Sequence, residues 1–145
     1  MADGQQVGAQ WVEAFNAHDE ERMRELTAEN AVFEAPGDVR LEGRDAGVGY
    51  AMSWINAFPD ARIDVHDELE AGDWVVQEFV FSGTHTAPME SPMGEIPATN
   101  RSLSGRGVQI FRIEAGMVAD TRLYFDQMDV MTQLGLMPEP SASTA

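Results

Sequence analysis

Three polar residues of this chain have side chains suited to moving or holding a proton: His85, Gln109 and Asp126. His85 lies in Gly83-Thr84-His85-Thr86, where a strand stops at glycine and a loop begins. Imidazole gains and loses a proton near neutral pH, so it suits acid–base work. Its other possible role is an anchor, tying the strand end to the following loop through a backbone hydrogen bond. Gln109 stands mid-strand between hydrophobic residues, and a buried amide needs partners. Either its NH₂ group holds a substrate carbonyl, or it bonds across to another strand. Asp126 follows a strand and precedes a helical stretch. Alternation turns Thr121, Leu123 and Phe125 to one face and Asp120, Arg122, Tyr124 and Asp126 to the other. On that parity Asp126 caps the last helix, with Asp129 at N3 near the positive helix end. A bend at the strand end would instead turn Asp126 inward.

The large apolar residues outline where a substrate would sit. Trp11, Tyr50, Trp54, Phe79, Phe81, Phe111 and Phe125 line or underlie a greasy pocket, joined by Leu123. Such a cavity with few polar groups is the usual form of a small-molecule site, so a small apolar organic compound is the expected partner. Met89 and Met93 lie in a loop and offer adaptable apolar cover for it. His18 and His66 read as solvated. The three histidines are far apart and show no HExxH-like spacing, and there is no cysteine, so no metal is expected.

Bulk properties narrow the class. With 145 residues and 43% hydrophobic content, the chain is one ordinary domain able to build a core. Twenty-five acids against 9 bases give a formal charge of −16. Such a surface repels phosphate backbones and anionic lipid heads, which argues against nucleic acid and membrane as partners. No apolar run is long enough to span a bilayer. The start MADGQQVGAQ shows no secretion signal, so a cytoplasmic location is the expectation.

The elements that must position these residues follow from periodicity. Val7, Trp11, Ala14 and Phe15 make the stripe of a first helix, broken at Asn16-Ala17-His18. Asp19 predicts an N-cap for a short second helix carrying Met23 and Leu26. A strand at 31–35 ends at Pro36-Gly37-Asp38, and a third helix starts after Gly43 and stops at Phe58-Pro59-Asp60. Strands follow. Ile63, Val65, Asp67 and Leu69 alternate with Arg62, Asp64, His66 and Glu68, and Ala71-Gly72-Asp73 turns into a strand at 74–82. A long strand over about 102–113, a turn at Glu114-Ala115-Gly116, a strand at 117–125 and a helix from Gln127 complete residues 1–137. Residues 138–145 read as a loose tail. Helices first and strands after argue for an α+β fold.

Taken together, Gly83-Thr84-His85-Thr86, Met93-Gly94-Glu95-Ile96-Pro97-Ala98-Thr99-Asn100-Arg101, Gln109-Ile110-Phe111-Arg112 and the stretch from Tyr124-Phe125-Asp126 to Gln133-Leu134-Gly135 resemble the SnoaL-like polyketide cyclases. These belong to the superfamily named after nuclear transport factor 2. The resemblance implies a cone-shaped curved antiparallel sheet packed on N-terminal helices and enclosing a pocket. It also implies a cofactor-free cyclase or isomerase acting on a polyketide-like carbonyl compound. Asp126 would then be the proton carrier, with His85 and Gln109 polarising or orienting the substrate. A homodimer through the outer sheet face is implied as well, with Arg106, Arg112 and Tyr124 near it; a strand-face salt bridge is the expected role of both arginines. Two relatives on the fold match poorly. Ketosteroid isomerases place a base before a proline and an oxyanion pair where Ala35, Trp11 and Gln109 stand here. Limonene-type epoxide hydrolases place Asp-Arg-Asp where Gly107, Gln109 and Leu123 stand. A non-catalytic binding protein, or an enzyme of the epoxide hydrolase kind, remains the alternative reading.

Overall fold

The computed structural model describes residues 4–91 and 94–137. Three helices come first: α1 (Gly4–Asn16), α2 (Glu20–Glu25) and, after the strands β1 (Thr27–Ala35) and β2 (Val39–Glu42), α3 (Arg44–Ala57). Then follow β3 (Arg62–Ala71), β4 (Trp74–Thr84), β5 (Met89–Ser91), β6 (Gly94–Ile96), β7 (Ser102–Glu114), β8 (Met117–Phe125) and α4 (Gln127–Gln133). Asp19 caps α2 as its sequence position predicts: its carboxylate accepts from the Arg22 backbone N–H at 3.0 Å.

Six strands form one curved sheet in the order β2-β1-β8-β7-β4-β3, and β5 pairs with β6 separately. Most pairs are antiparallel, but β1 lies parallel to β8, so the first strand closes against the last. The sequence reading missed β2. Its signal was the Pro36-Gly37-Asp38 turn, where Gly37 and Asp38 both take positive φ (88° and 61°), the backbone twist that folds a strand back on itself. The short β5–β6 ladder was missed too, because three-residue strands carry almost no periodicity. Met93 lies outside the described residues.

One irregularity decides which side chains face the helices. The β3–β4 register shifts between Val65 and Asp67, where a bulge inserts one extra residue. Simple alternation would turn Leu69 inward with Ile63 and Val65. The bulge reverses the parity, leaving Leu69 64% exposed and turning Glu68 inward against Gln77. His66 is exposed, as expected. His18 is not solvated: it has positive φ, is half-buried, and its Nε2 lies 3.1 Å from the Ala61 carbonyl oxygen, which closes the helix break onto the start of β3.

Apolar packing among the described residues falls into a larger and a smaller cluster, with a third, minor one of Ala28, Ala31 and Ala119. The larger joins Phe15, Met23, Val48, Ile55, Phe58 and Phe79 between the helices and the sheet. The smaller joins Val7, Val75, Phe111, Ile113 and Val118. Trp11 packs against both of these and joins them.

Candidate functional site

A cavity of about 80 Å³, measured as space open to the centre of a water-sized sphere, lies between the sheet and helices α1, α3 and α4. That is room for a small organic guest, since one water-sized sphere needs roughly 10–15 Å³. Each wall follows from local patterning. Trp11 and Phe15 come one turn apart on α1, Tyr50 and Trp54 one turn apart on α3, Phe79 and Phe81 alternate on β4, and Thr121, Leu123 and Phe125 alternate on β8. Trp54 is the hub. Its ring centroid lies 5.3 Å from Phe81, 5.6 Å from Phe58 and 5.6 Å from Phe125.

The expected lining is largely in place, with two relocations. Trp11, Tyr50, Trp54, Phe79, Phe81, Gln109, Leu123, Phe125 and Asp126 all border the cavity. Phe111 does not: it is fully buried in the smaller cluster beneath Trp11, at 5.7 Å between ring centroids. Met89 packs against the larger cluster rather than covering the opening. Arg112 pairs with Asp120 and Glu114 on the sheet face, as its parity predicts. Arg106 contributes to the cavity lining and, among the described residues, has no ion pair. Phe33, Ala51, Ile63, Leu103, Gly105 and Val130 also border the cavity, as does a second carboxylate, Asp129. Leu103 and Gly105 were legible in principle, since they share the parity of Gln109 on β7.

Few polar groups face this space. The Trp54 indole N–H is buried without a hydrogen-bond partner. Burial raises the Tyr50 pKa above its ordinary value, against a smaller lowering by the neighbouring Trp54 side chain. Tyr50 therefore keeps its proton at neutral pH. Gln109 is buried, and its Nε2 donates to Gln77 Oε1 at 2.8 Å. The cross-strand pairing that was one of two readings for Gln109 is thus formed. Asp126 is the N-cap of α4: Oδ1 accepts from the Asp129 backbone N–H at 3.1 Å. Parity and capping hold as the sequence suggests, and the residue still borders the cavity because the strand ends there. Only one carboxylate oxygen is used by the cap, so the two roles are compatible.

His85 lies elsewhere. It is fully buried, stacks on Phe58 with centroids 5.1 Å apart, and does not border the cavity. Thr99 donates its backbone N–H to His85 Nδ1 at 3.3 Å, with its Oγ1 3.0 Å from the same nitrogen. Accepting at Nδ1 places the ring proton on Nε2, which is buried without a partner. The anchoring role is the one this geometry supports, since the Asn100 N–H also donates to the His85 carbonyl at 2.8 Å.

Burial lowers the His85 pKa, against a smaller upward pull from the Ala87 backbone. The folded state thus favours the neutral ring, and the unfolded chain takes up the proton first as pH falls. The associated stability is complete above the ordinary histidine value of about 6.5 and is lost as pH drops below it toward the folded pKa. Melting curves between pH 7.5 and 5 are expected to fall more steeply for the natural protein than for His85→Gln; equal slopes would refute this. Asp60 cannot mimic the effect. Thr84 bonds lower its pKa, so its contribution is lost only in more acid solution, below the ordinary carboxylate range.

Comparison with known proteins now has a geometry to meet. The sequence model of the SnoaL-like polyketide cyclases matches residues 5–134. No curated protein matches the chain. Among solved structures, a candidate SnoaL-like polyketide cyclase from Jannaschia sp. CCS1 is similar with a TM-score of 0.82 at 19% identity, covering 93% of both chains. IdmH, a candidate polyketide cyclase from Streptomyces antibioticus, is similar at 28% identity and a TM-score of 0.77, covering 92% of this chain and 99% of its own. AclR, a candidate hydroxylase from Streptomyces galilaeus, aligns at 19% identity with a TM-score of 0.78, over 97% of this chain and 90% of its own.

Proposed function

The chain belongs to the SnoaL-like polyketide cyclase family, and from that premise we propose that it closes a ring on an apolar carbonyl substrate by proton transfer at Asp126, without a cofactor. The observation that carries the reading is the position of Asp126, a carboxylate that caps its own helix at the border of a mainly apolar cavity. The free oxygen removes a proton from the carbon next to a substrate carbonyl. The enolate carbon then attacks a second carbonyl of the same molecule. A carbon–carbon bond forms, the second carbonyl becomes an alkoxide, and Asp126 returns the proton to it. The Trp54 indole N–H and the Tyr50 hydroxyl are the donors available to the developing oxyanion. His85, expected to assist, is withdrawn from this role because it does not border the cavity.

The aromatic walls supply much of the rate by folding the substrate into a near-attack shape. The cavity admits part of a polyketide; larger rings require the Trp54 and Phe125 side chains to swing. The test is incubation with a panel of linear and bicyclic β-dicarbonyl aromatics, scored by mass spectrometry for ring closure at constant mass or with loss of water. Binding of the panel without any conversion would instead favour the non-catalytic reading. An epoxide hydrolase mechanism gains no support, since Gly107 and Leu123 leave no acid pair where it needs one.

A second copy is proposed to cover the outer sheet face. Tyr124 is 54% exposed there, across from Val108, and Arg122 stacks over Trp74 at 5.0 Å. Leu69 pairs with Val76 and Val76 with Ile110, which continues the apolar surface across three strands. Light scattering after size exclusion at micromolar concentration is expected to give twice the monomer mass, and Tyr124→Glu to restore the monomer. A monomer for the natural protein at every concentration would sink this.

A further inference from the structure

Glu68, Gln77 and Gln109 occupy adjacent strands in direct register, Glu68 opposite Gln77 and Gln77 opposite Gln109. Their side chains form one line of hydrogen bonds across the inner sheet face. Gln77 Nε2 donates to Glu68 Oε2 at 2.7 Å, and Gln109 Nε2 donates to Gln77 Oε1 at 2.8 Å. The line has a direction, fixed at its outer end. An ionised carboxylate accepts hydrogen bonds and cannot donate them. Glu68 therefore draws the NH₂ of Gln77, which leaves the Gln77 oxygen toward β7, which in turn draws the NH₂ of Gln109. Gln77 is fully buried and Gln109 nearly so, so neither amide can rotate without stranding polar atoms. Gln109 Oε1 has no partner among the described residues, and Gln109 borders the cavity.

We propose that this relay sets the hydrogen-bond polarity of the cavity floor: Gln109 offers a carbonyl oxygen, so the site selects guests that present an enol or phenol hydroxyl there. This deepens the cyclase reading and rests on the cavity being the substrate site. It reverses one of the two roles open to Gln109 from the sequence, in which its NH₂ held a substrate carbonyl. A donor for the guest's acceptor oxygen is offered instead by another cavity-lining residue, Trp54, whose N–H is buried without a partner. Glu68 and Gln77 are positioning residues. Glu68 reaches the inner face only because the β3 bulge inverts that strand's parity, whereas Gln77 faces inward by the regular alternation of β4.

The test uses two probes of equal heavy-atom count, 4-methylphenol, which can donate, and benzonitrile, which only accepts. Dissociation constants come from chemical-shift titration of the whole protein, with no turnover needed. The natural protein is expected to bind the phenol about tenfold more tightly, the worth of roughly one net hydrogen bond. Glu68→Lys replaces the acceptor at the head of the line with a donor, and the preference is expected to vanish or invert. Gln109→Met removes the oxygen and is expected to abolish the preference while benzonitrile still binds, with melting curves verifying the fold of each variant. Equal affinities in the natural protein, no saturable binding of either probe, or an unchanged ratio in a folded Glu68→Lys would overturn the proposal. Because Asp126 takes no part in this assay, a protein that converts no substrate can still pass it, and a competent cyclase can still fail it.

Discussion

Replacing Asp126 with asparagine is expected to lower ring-closing turnover by about 10²- to 10⁴-fold, the range typical of a lost general base, while the melting temperature stays nearly unchanged. Asparagine caps a helix as well as aspartate does, so the bond to the Asp129 N–H at 3.1 Å survives the exchange. The companion change Asp126→Ala removes both functions. It is expected to lose turnover equally and to cost about 1 kcal/mol of stability, or roughly 3 °C in melting temperature for a domain of this size. The pair separates the two roles of one carboxylate. If Asp126→Asn retains full turnover while Asp126→Ala only melts earlier, the residue is a cap alone and the proton carrier must be sought elsewhere.

The largest effect on stability is expected at Phe111. Its ring is fully buried among Val7, Val75, Ile113 and Val118. Removing it in Phe111→Ala should cost about 3–5 kcal/mol, combining lost transfer energy with the void left behind. That is a large share of the roughly 5–15 kcal/mol that holds a typical domain together. Urea unfolding would read the loss as a lower midpoint at unchanged slope. Trp11 rests on Phe111 and also walls the cavity, so the void should let the indole drop and loosen guest binding as well. A loss below about 1 kcal/mol would mean that the neighbours collapse into the gap, and that this cluster is less tightly packed than its burial implies.

The helices and long strands were legible because their patterns are local. The caps Asp19 and Asp126, the Ala71-Gly72-Asp73 turn and the alternation on β8 each depend on a handful of adjacent residues, and each is found in place. Aromatic identity similarly marked most of the cavity wall. What escaped was set by non-local pairing. The bulge in β3 leaves no signature in composition, yet it decides that Glu68 faces in and Leu69 faces out. The direction of the Gln109 amide depends on a carboxylate two strands away, 41 positions earlier in the chain (109 − 68). The sequence shows an ambiguous amide; only the register removes the ambiguity. His85 was drawn toward catalysis by the general aptitude of imidazole, and nothing in its neighbours revealed that Phe58 and Thr99 would enclose it.

The parallel seam between β1 and β8 has a bearing on how the protein comes into being. Strand β1 leaves the ribosome well before its inner neighbour β8, the last strand of the sheet, which ends at Phe125. Until that segment emerges, the β1–β2 hairpin has no sheet to join, and α3, which packs on β1, has no settled floor. Closing so long a loop is slow and entropically costly. Acquisition of the native state should therefore wait for β8, and nascent chains halted before β8 should remain protease-sensitive throughout rather than show a protected β1–α3 region.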